Sequence, residues 1–134
     1  MKTFHLQIVT PDVLCFDGQA QRLIVRTVAG DVGILAGHAD YVTALGMGRA
    51  KVVLEDDQCR YAACIGGMLA VAHGEVKLVA TTFEWSEDID VERARRSMER
   101  AKTILDEKSS HTVEEIALAE ARLKRALVRT GAAK

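Results

Sequence analysis

The chain has 134 residues, of which 49% are hydrophobic. This length supports one buried core with a small appendage rather than two independent domains. The formal net charge of -1 and the pI near 6.4 exclude a strongly basic protein, so we expect no nucleic-acid partner. No stretch is long and apolar enough to span a bilayer, and we therefore expect no direct membrane insertion.

In chain order, residues up to about 82 alternate between apolar and polar side chains, which is typical of strands. The turn signals between them are Asp17-Gly18, Glu55–Asp57 and His73–Glu75. Many short strands joined by turns predict an antiparallel β-sandwich. The predicted strands are Thr3–Thr10, Val13–Cys15, Ala20–Thr27, Val32–Leu35, Lys51–Glu55, Cys59–Ile65, Leu69–Ala72 and Val76–Ala80.

Two glycine pairs stand out within this half. Gly30 and Gly33 bracket Asp31-Val32, a spacing that suits a tight turn. Gly66-Gly67 indicates a bulge or a close approach of two backbones.

The three cysteines, Cys15, Cys59 and Cys64, are an odd number in a chain without a secretory signal, so we expect reduced thiols. A zinc site at Cys59 and Cys64 with His38 or His73 is disfavoured, because strand alternation points the two cysteines to opposite faces. We expect no metal.

The apolar period changes near Ser86. Apolar residues then recur every three or four positions, from Val91 to Leu105 and again from Ile116 to Leu127, which predicts two helices. The break falls at Lys108–His111, and Thr112 with Glu115 forms a capping box. A short connection predicts an antiparallel hairpin, and its alanine-rich seam makes that hairpin marginally stable.

Seven arginines lie between Arg93 and Arg129. Antiparallel folding brings Arg93 near Arg125 and Arg129, and guanidinium groups bind phosphate oxygens well. The alternative is a solvated face on which these arginines pair with interleaved glutamates. No Walker A sequence is present, so hydrolysis of ATP by this chain is not indicated.

The segments Val25–Leu45, Gly66-Gly67 and Ile89–Ala94 together resemble the epsilon subunits of bacterial F-type ATP synthases, a resemblance that runs from Met1 to about Arg129. The last segment is similar to a nucleotide-binding motif of that family. The resemblance implies regulatory ATP binding, without hydrolysis and without a catalytic cofactor. The residues implied are Glu84, Ile89, Asp90, Arg93, Ala94, Arg100, Arg125 and Arg129.

The resemblance also implies an α+β fold in two parts: a β-sandwich domain over residues 1–86, which binds the gamma subunit and the c-ring, and a regulatory helical arm over 87–134. The arm would inhibit ATP hydrolysis by meeting the alpha and beta subunits. The expected location is peripheral, on the cytoplasmic face of the bacterial membrane. Gly33 and His38 fall in the family's subunit-contact loop, although Ala36 and Asp40 replace its usual prolines.

Two other functions compete with this one. The first is a free-standing ATP-sensing protein of the same architecture, which would not remain with a gamma subunit on purification. The second is a small hydrolase that uses His38, for which the sequence lacks a recognisable nucleophile. We also expect Phe83 and Trp85 to form the surface on which the arm docks, rather than to cover the sandwich edge.

Overall fold

A computed structural model describes residues 2–107 and 110–132. It has seven strands followed by a 3-10 turn and two helices, which confirms the predicted α+β architecture. The strands are β1 Phe4–Val9, β2 Leu14–Thr27, β3 Gly30–Leu35, β4 Tyr41–Ala44, β5 Met47–Leu54, β6 Cys59–Ala72 and β7 Glu75–Trp85. The 3-10 turn is Ser86–Asp88, and the helices are α1 Val91–Asp106 and α2 Val113–Ala132.

The sandwich closes on itself through the long strand β2. The first half of β2 pairs with β1, and the second half pairs with β3 and β5. Since the sheet order is β1-β7-β6-β5-β2-β3, this extra pairing of β1 with β2 completes a ring. The pairings are antiparallel except for β1 with β7, which is parallel. The core inside the ring includes Leu6, Ile8, Leu23, Leu69 and Leu78, all 0% exposed.

Asp17 and Gly18 do not form the predicted turn. Both lie inside β2, where they pair with Gln7 and Leu6 of β1. The predicted strands Val13–Cys15 and Ala20–Thr27 are therefore parts of one strand. A glycine is tolerated there because the ring of Phe16 covers the position, 3.4 Å from where a β-carbon of Gly18 would lie.

The prediction of a tight turn at Asp31-Val32 is also wrong, because both residues lie within β3. The turn falls earlier, at Val28-Ala29. The Thr27 hydroxyl stabilises it by accepting from the Ala29 N–H at 3.1 Å and donating to the Gly30 carbonyl at 2.7 Å. A polar side chain thus sets this turn. The turns predicted at Glu55–Asp57 and His73–Glu75 are confirmed.

Strand β6 bends at Gly66-Gly67 without ending, so the predicted strands Cys59–Ile65 and Leu69–Ala72 are one strand. The two glycines have φ of 69° and 112°, and a β-carbon on Gly67 would lie 2.0 Å from the Val79 carbonyl oxygen. The close backbone approach is therefore confirmed. Before the bend β6 pairs with β5, and after it with β4, a strand of four residues that the alternation pattern did not predict.

The two predicted helices are confirmed, and they pack against each other. The capping box forms reciprocally: the Glu115 N–H donates to Thr112 Oγ1 at 3.1 Å, and the Thr112 N–H donates to Glu115 Oε1 at 3.3 Å. Lys108 and Ser109 of the predicted break lie outside the described residues. Among the residues described, no helix has the length and apolarity needed to cross a membrane.

His5 joins three strands of the ring through its imidazole. Its Nε2 lies 2.5 Å from Asp17 Oδ1 on β2, and its Nδ1 lies 2.5 Å from Glu75 Oε2 on β7. Both nitrogens can donate only when the ring is protonated. The hydrogen bonds to Asp17 and then to Glu75 accordingly raise the pKa of His5 above its ordinary value of 6.5.

We expect this contact to make the sandwich more stable in mild acid than in mild alkali. The pKa of His5 is higher in the folded state than its ordinary value of 6.5. The contribution of His5 to the free energy of unfolding is therefore complete below pH 6.5 and is lost as the pH rises through the folded pKa. Urea denaturation between about pH 6 and about pH 9 measures this. His5→Gln should flatten the pH dependence; parallel curves for the two proteins would contradict the assignment.

We expect Gly67→Ala to destabilise the sandwich by more than about 2 kcal/mol, because the new methyl group adds a backbone clash to an unfavourable φ. Gly74→Ala is the matched control: its φ is also positive, at 80°, but no atom lies within 4 Å of the added carbon. The control should cost about 1–2 kcal/mol. Equal losses in thermal denaturation would show that the close approach is relaxed at no cost.

Candidate functional site

A cavity of about 430 Å³ lies between the helical hairpin and the outer face of the sandwich. Outward-facing Thr82 and Glu84 of β7 form part of one wall, with Ile65 and Phe83 beside them. Helix α1 contributes Arg93 and Ser97, and α2 contributes Arg122, Arg125, Ala126 and Arg129. Its volume is within the range of small-molecule sites.

Glu84 and Arg129 form an ion pair across this cavity. Arg129 Nε donates to Glu84 Oε1 at 2.8 Å, and a second guanidinium nitrogen donates to Oε2 at 3.3 Å. Both side chains are mostly buried, with exposures of 28% and 25%. The two parallel bonds hold α2 to β7 in a defined orientation, since a guanidinium and a carboxylate match in shape.

The other arginines of the cavity have no such partner. Within residues 2–107 and 110–132, no carboxylate oxygen lies within 4.0 Å of the guanidinium nitrogens of Arg93, Arg122 or Arg125. By contrast, Arg95, on the outer side of α1, pairs with Glu92 at 3.3 Å. The solvated ion-pair network that the interleaved glutamates suggested is therefore not formed by the cavity arginines. Their positive charges face the cavity without a protein counter-charge.

A second cavity of about 290 Å³ adjoins the first along the hairpin. Arg100, Ala101 and Ile104 of α1 line it together with Ser97 and Arg122. Since Ser97 and Arg122 line both cavities, the two form one continuous groove between the helices. The groove carries cationic side chains along its length.

The hairpin also makes an apolar contact with the sandwich. Ile89, Val128 and Ala132 cluster on Ala63 of β6, a group separate from the main core. The 3-10 turn is held by Arg60, which lies 3.7 Å above the Trp85 ring and donates to Glu87 at 2.5 Å. That hydrogen bond lowers the pKa of Glu87 below its ordinary value.

Comparison with known families identifies both halves of the chain. Residues 3–86 match the β-sandwich domain of the ATP synthase delta/epsilon chain, and residues 87–134 match its long alpha-helix domain. The chain belongs to the ATP synthase delta/epsilon chain family. This membership confirms the prediction of a non-catalytic central-stalk subunit.

Two bacterial relatives match nearly all of the chain. It is 41% identical over 134 residues to the ATP synthase epsilon chain of Ruminococcus albus, covering 99% of this chain and 98% of that one. It is 37% identical over 128 residues to the epsilon chain of Caldanaerobacter subterraneus subsp. tengcongensis, covering 96% and 91% respectively.

Among solved structures, the fold matches a chain of the Euglena gracilis mitochondrial ATP synthase, OSCP/F1/c-ring, with a TM-score of 0.85 at 22% identity. The match covers 98% of this chain and 82% of that one. It also matches a chain of the Tetrahymena thermophila mitochondrial ATP synthase central stalk and c-ring. That TM-score is 0.64 at 14% identity, over 99% and 98% of the two chains. At these identities the likeness shows the fold alone.

The structure brings half of the eight predicted ATP-site residues of this delta/epsilon chain into the first cavity: Glu84, Arg93, Arg125 and Arg129. Arg100 lines the adjoining cavity. Ile89 belongs to the apolar contact with the sandwich, and Ala94 is 0% exposed at the helix seam. Asp90 is the N-cap of α1, where Oδ1 accepts the Arg93 N–H at 3.0 Å.

Sequence reasoning missed Arg122, Ser97 and Thr82. A signal for Arg122 was available, because it lies three residues before Arg125 and seven before Arg129, on the same helical face. Ser97 lies likewise four residues after Arg93 and three before Arg100. The family motif did not include Arg122 or Ser97, so only their helical spacing could have identified them.

Phe83 and Trp85 belong to the sandwich core, at 9% and 7% exposure, and their rings meet edge to face at 4.9 Å. The interpretation that they form the arm's docking surface is therefore wrong, except that Phe83 also borders the cavity. The residue between them, Glu84, faces the arm because side chains alternate along a strand.

Gly33 and His38, the predicted contact residues, line neither cavity. Gly33 lies in β3 opposite Ile24, and His38 follows that strand. The His38 Nδ1 lies 2.7 Å from the Ala39 carbonyl oxygen, and its ring lies 5.8 Å from that of Tyr41. These contacts fix the ring on the surface loop.

We expect the Glu84–Arg129 pair to contribute on the order of 1 kcal/mol to docking of the arm, because both groups are mostly buried and the contact is bidentate. A double-mutant cycle with Glu84→Gln and Arg129→Gln, measured by hydrogen exchange of α2 amides, gives this coupling. The exposed pair Glu92–Arg95 is the control and should give less than about 0.5 kcal/mol. Equal coupling in the two cycles would contradict a specific role in docking.

Proposed function

We propose that this chain is the epsilon subunit that couples proton-driven rotation to ATP synthesis, and that its helical arm binds one regulatory ATP without hydrolysing it. The sandwich binds the gamma subunit and rests on the c-ring, peripheral to the cytoplasmic face of a bacterial membrane. The arm reaches the alpha and beta subunits when it extends and inhibits hydrolysis. The observation that carries the nucleotide proposal is the cavity, in which three of the four arginines, Arg93, Arg122 and Arg125, have no ion-pair partner in the described residues.

The charges of the cavity suit a polyphosphate. Four arginines and one glutamate line it, which leaves a formal excess of three positive charges. A nucleoside triphosphate brings a compensating negative charge, and guanidinium forks bind phosphate oxygens with charge-assisted hydrogen bonds. Since the arginines come from both helices, a bound polyphosphate would bridge α1 and α2.

The wall formed by β7 suits the nucleoside. Glu84 offers carboxylate oxygens to amino or ribose hydroxyl donors, and the Thr82 hydroxyl lies on the same outward face. Ile65 and Phe83 provide apolar surface beside them. In this proposal the nucleoside lies against the sandwich and the phosphates lie along the helices.

The outer face of the sandwich supports the proposed contact with gamma. Register pairs place Leu14, Val9, Val79, Met68 and Ala44 in one row across five strands. Leu14, Met68 and Val79 are 55%, 52% and 43% exposed. A row of apolar side chains on a sheet face is typical of a protein-protein contact surface.

In this proposal, binding of ATP favours the compact arm, in which the hairpin lies folded against the sandwich. The helices meet through alanines, which bury little surface, so the hairpin gains little free energy from its own packing. A ligand that bridges both helices in the compact state alone adds RT ln(1 + [ATP]/Kd), about 2.7 kcal/mol at a hundredfold excess over Kd. Inhibition of hydrolysis should then ease as the ATP concentration rises.

Calorimetry on the full chain tests the nucleotide site. We expect Arg93→Ala and Arg125→Ala each to weaken ATP binding by about tenfold to a hundredfold, through loss of a charge-assisted hydrogen bond. Arg95→Ala, on the outer side of α1, is the control and should bind like the unaltered chain. Equal affinities for all these proteins would show that the cavity arginines do not hold the nucleotide.

The same measurement separates two roles of Asp90. Asp90→Ser keeps an N-cap oxygen but removes the carboxylate, whereas Asp90→Ala removes both. We expect Asp90→Ser to retain more ATP affinity than Asp90→Ala, because the side chain caps α1 and positions Arg93. Equal loss in the two variants would indicate a direct carboxylate contact with the ligand.

Truncation after Ser86 in the assembled synthase tests the division of labour between sandwich and arm. We expect the truncated subunit to remain with gamma and to support ATP synthesis, while ATP hydrolysis rises because the inhibitory arm is gone. Loss of assembly with gamma would refute the assignment of gamma binding to the sandwich. Unchanged hydrolysis would refute an inhibitory arm.

A further inference from the structure

Arg122 occupies a position that the family resemblance did not assign. It lines both cavities of the hairpin groove, whereas Arg93, Arg125 and Arg129 line only the first, and Arg100 only the second. Ser97 faces it from α1 at the same junction. The junction therefore combines a guanidinium with a hydroxyl, two groups that bind a phosphate well.

The arginines of α2 form a series that leads away from Glu84 along the helix axis. Arg129 contacts Glu84, and Arg125 and Arg122 follow at four and three residues, about 6 Å and then about 4.5 Å further along the axis. A nucleotide whose nucleoside lies against Glu84 directs its phosphates along this series. Its first phosphates would then lie beside Arg125 and Arg93, and its last phosphate would lie beside Arg122.

On the basis of the proposed ATP site, we propose that Arg122 binds the terminal phosphate of a nucleoside triphosphate and so sets the preference of the site for triphosphate over diphosphate. No carboxylate oxygen lies within 4.0 Å of the Arg122 guanidinium in the described parts of the chain, so no protein ion pair must be broken. A diphosphate held in the same orientation ends before the junction and leaves Arg122 in water. The preference for triphosphate over diphosphate follows, because only the triphosphate reaches Arg122.

Calorimetric titration of the full chain with ATP and with ADP tests the proposal. The variants are Arg122→Gln, which removes the charge but keeps a good helix former, and Arg122→Lys, which keeps the charge but removes the fork. Lys124→Gln is the matched control, because it removes one exposed positive charge of α2 that lines neither cavity.

We expect the unaltered chain to prefer ATP to ADP. Arg122→Gln should weaken ATP binding by about tenfold or more and change ADP binding by less than about twofold. Arg122→Lys should recover part of the preference, and Lys124→Gln should leave both affinities unchanged.

An equal loss for ATP and ADP in Arg122→Gln would overturn the proposal and show general attraction by the groove. Unchanged affinities would overturn it in favour of a solvated cation, and equal binding of ATP and ADP by the unaltered chain would remove the preference to be explained. In each of these cases ATP still binds, so the proposed regulatory site stands. Absence of any nucleotide binding by the unaltered chain would refute that site and this proposal with it.

Discussion

The ion pair between Glu84 and Arg129 orients the helical hairpin on the sandwich, where α2 lies against β5 and β6. The apolar contact beside it, of Ile89, Val128 and Ala132 with Ala63, is small and has little directional preference. The bidentate pair supplies the direction, because its two hydrogen bonds fix the orientation of α2 relative to β7. Both members of the pair line the cavity, so the contact also shapes its wall. Glu84 faces the hairpin because side chains alternate along β7, and its neighbours Phe83 and Trp85 point into the core and hold the strand there.

The seam between the helices has two consequences that follow from the small size of alanine. Ala94 and Ala101 of α1 and Ala119 and Ala126 of α2 are buried, so the helix axes approach closely. Close axes bring arginines of both helices to one groove, which larger seam residues would separate. The same alanines bury little apolar area, so the hairpin gains little from packing. The shared groove of arginines and the small packing area of the hairpin therefore have one origin in the sequence.

The sequence predicted the architecture well because both periods were clear, two in the first half and about three and a half in the second. It failed where glycine occurs inside a strand: Gly18 and Gly66-Gly67 suggested breaks, although neighbouring strands hold the chain extended there. It also missed Tyr41–Ala44, since four residues carry too little alternation to be recognised. At the site, the helical spacing predicted the convergence of Arg93, Arg125 and Arg129. The packing of Ile89 on the sandwich and the N-cap position of Asp90 were not predictable, because both depend on where α1 begins relative to the sandwich.

The closed ring of β1, β2, β5, β6 and β7 has a mechanical consequence for a protein of the ATP synthase stalk. In a sheet with an open edge, a force that pulls the edge strand away from its neighbour breaks the hydrogen bonds between them one after another. In this ring each of the five strands has a hydrogen-bonded neighbour on both sides, so a load on one strand is shared around the circumference. The apolar row on the outer face crosses five strands, and four of them, β1, β2, β6 and β7, belong to the ring. A torque applied there would have to shear many hydrogen bonds at once, so closure of the ring makes the sandwich stiff.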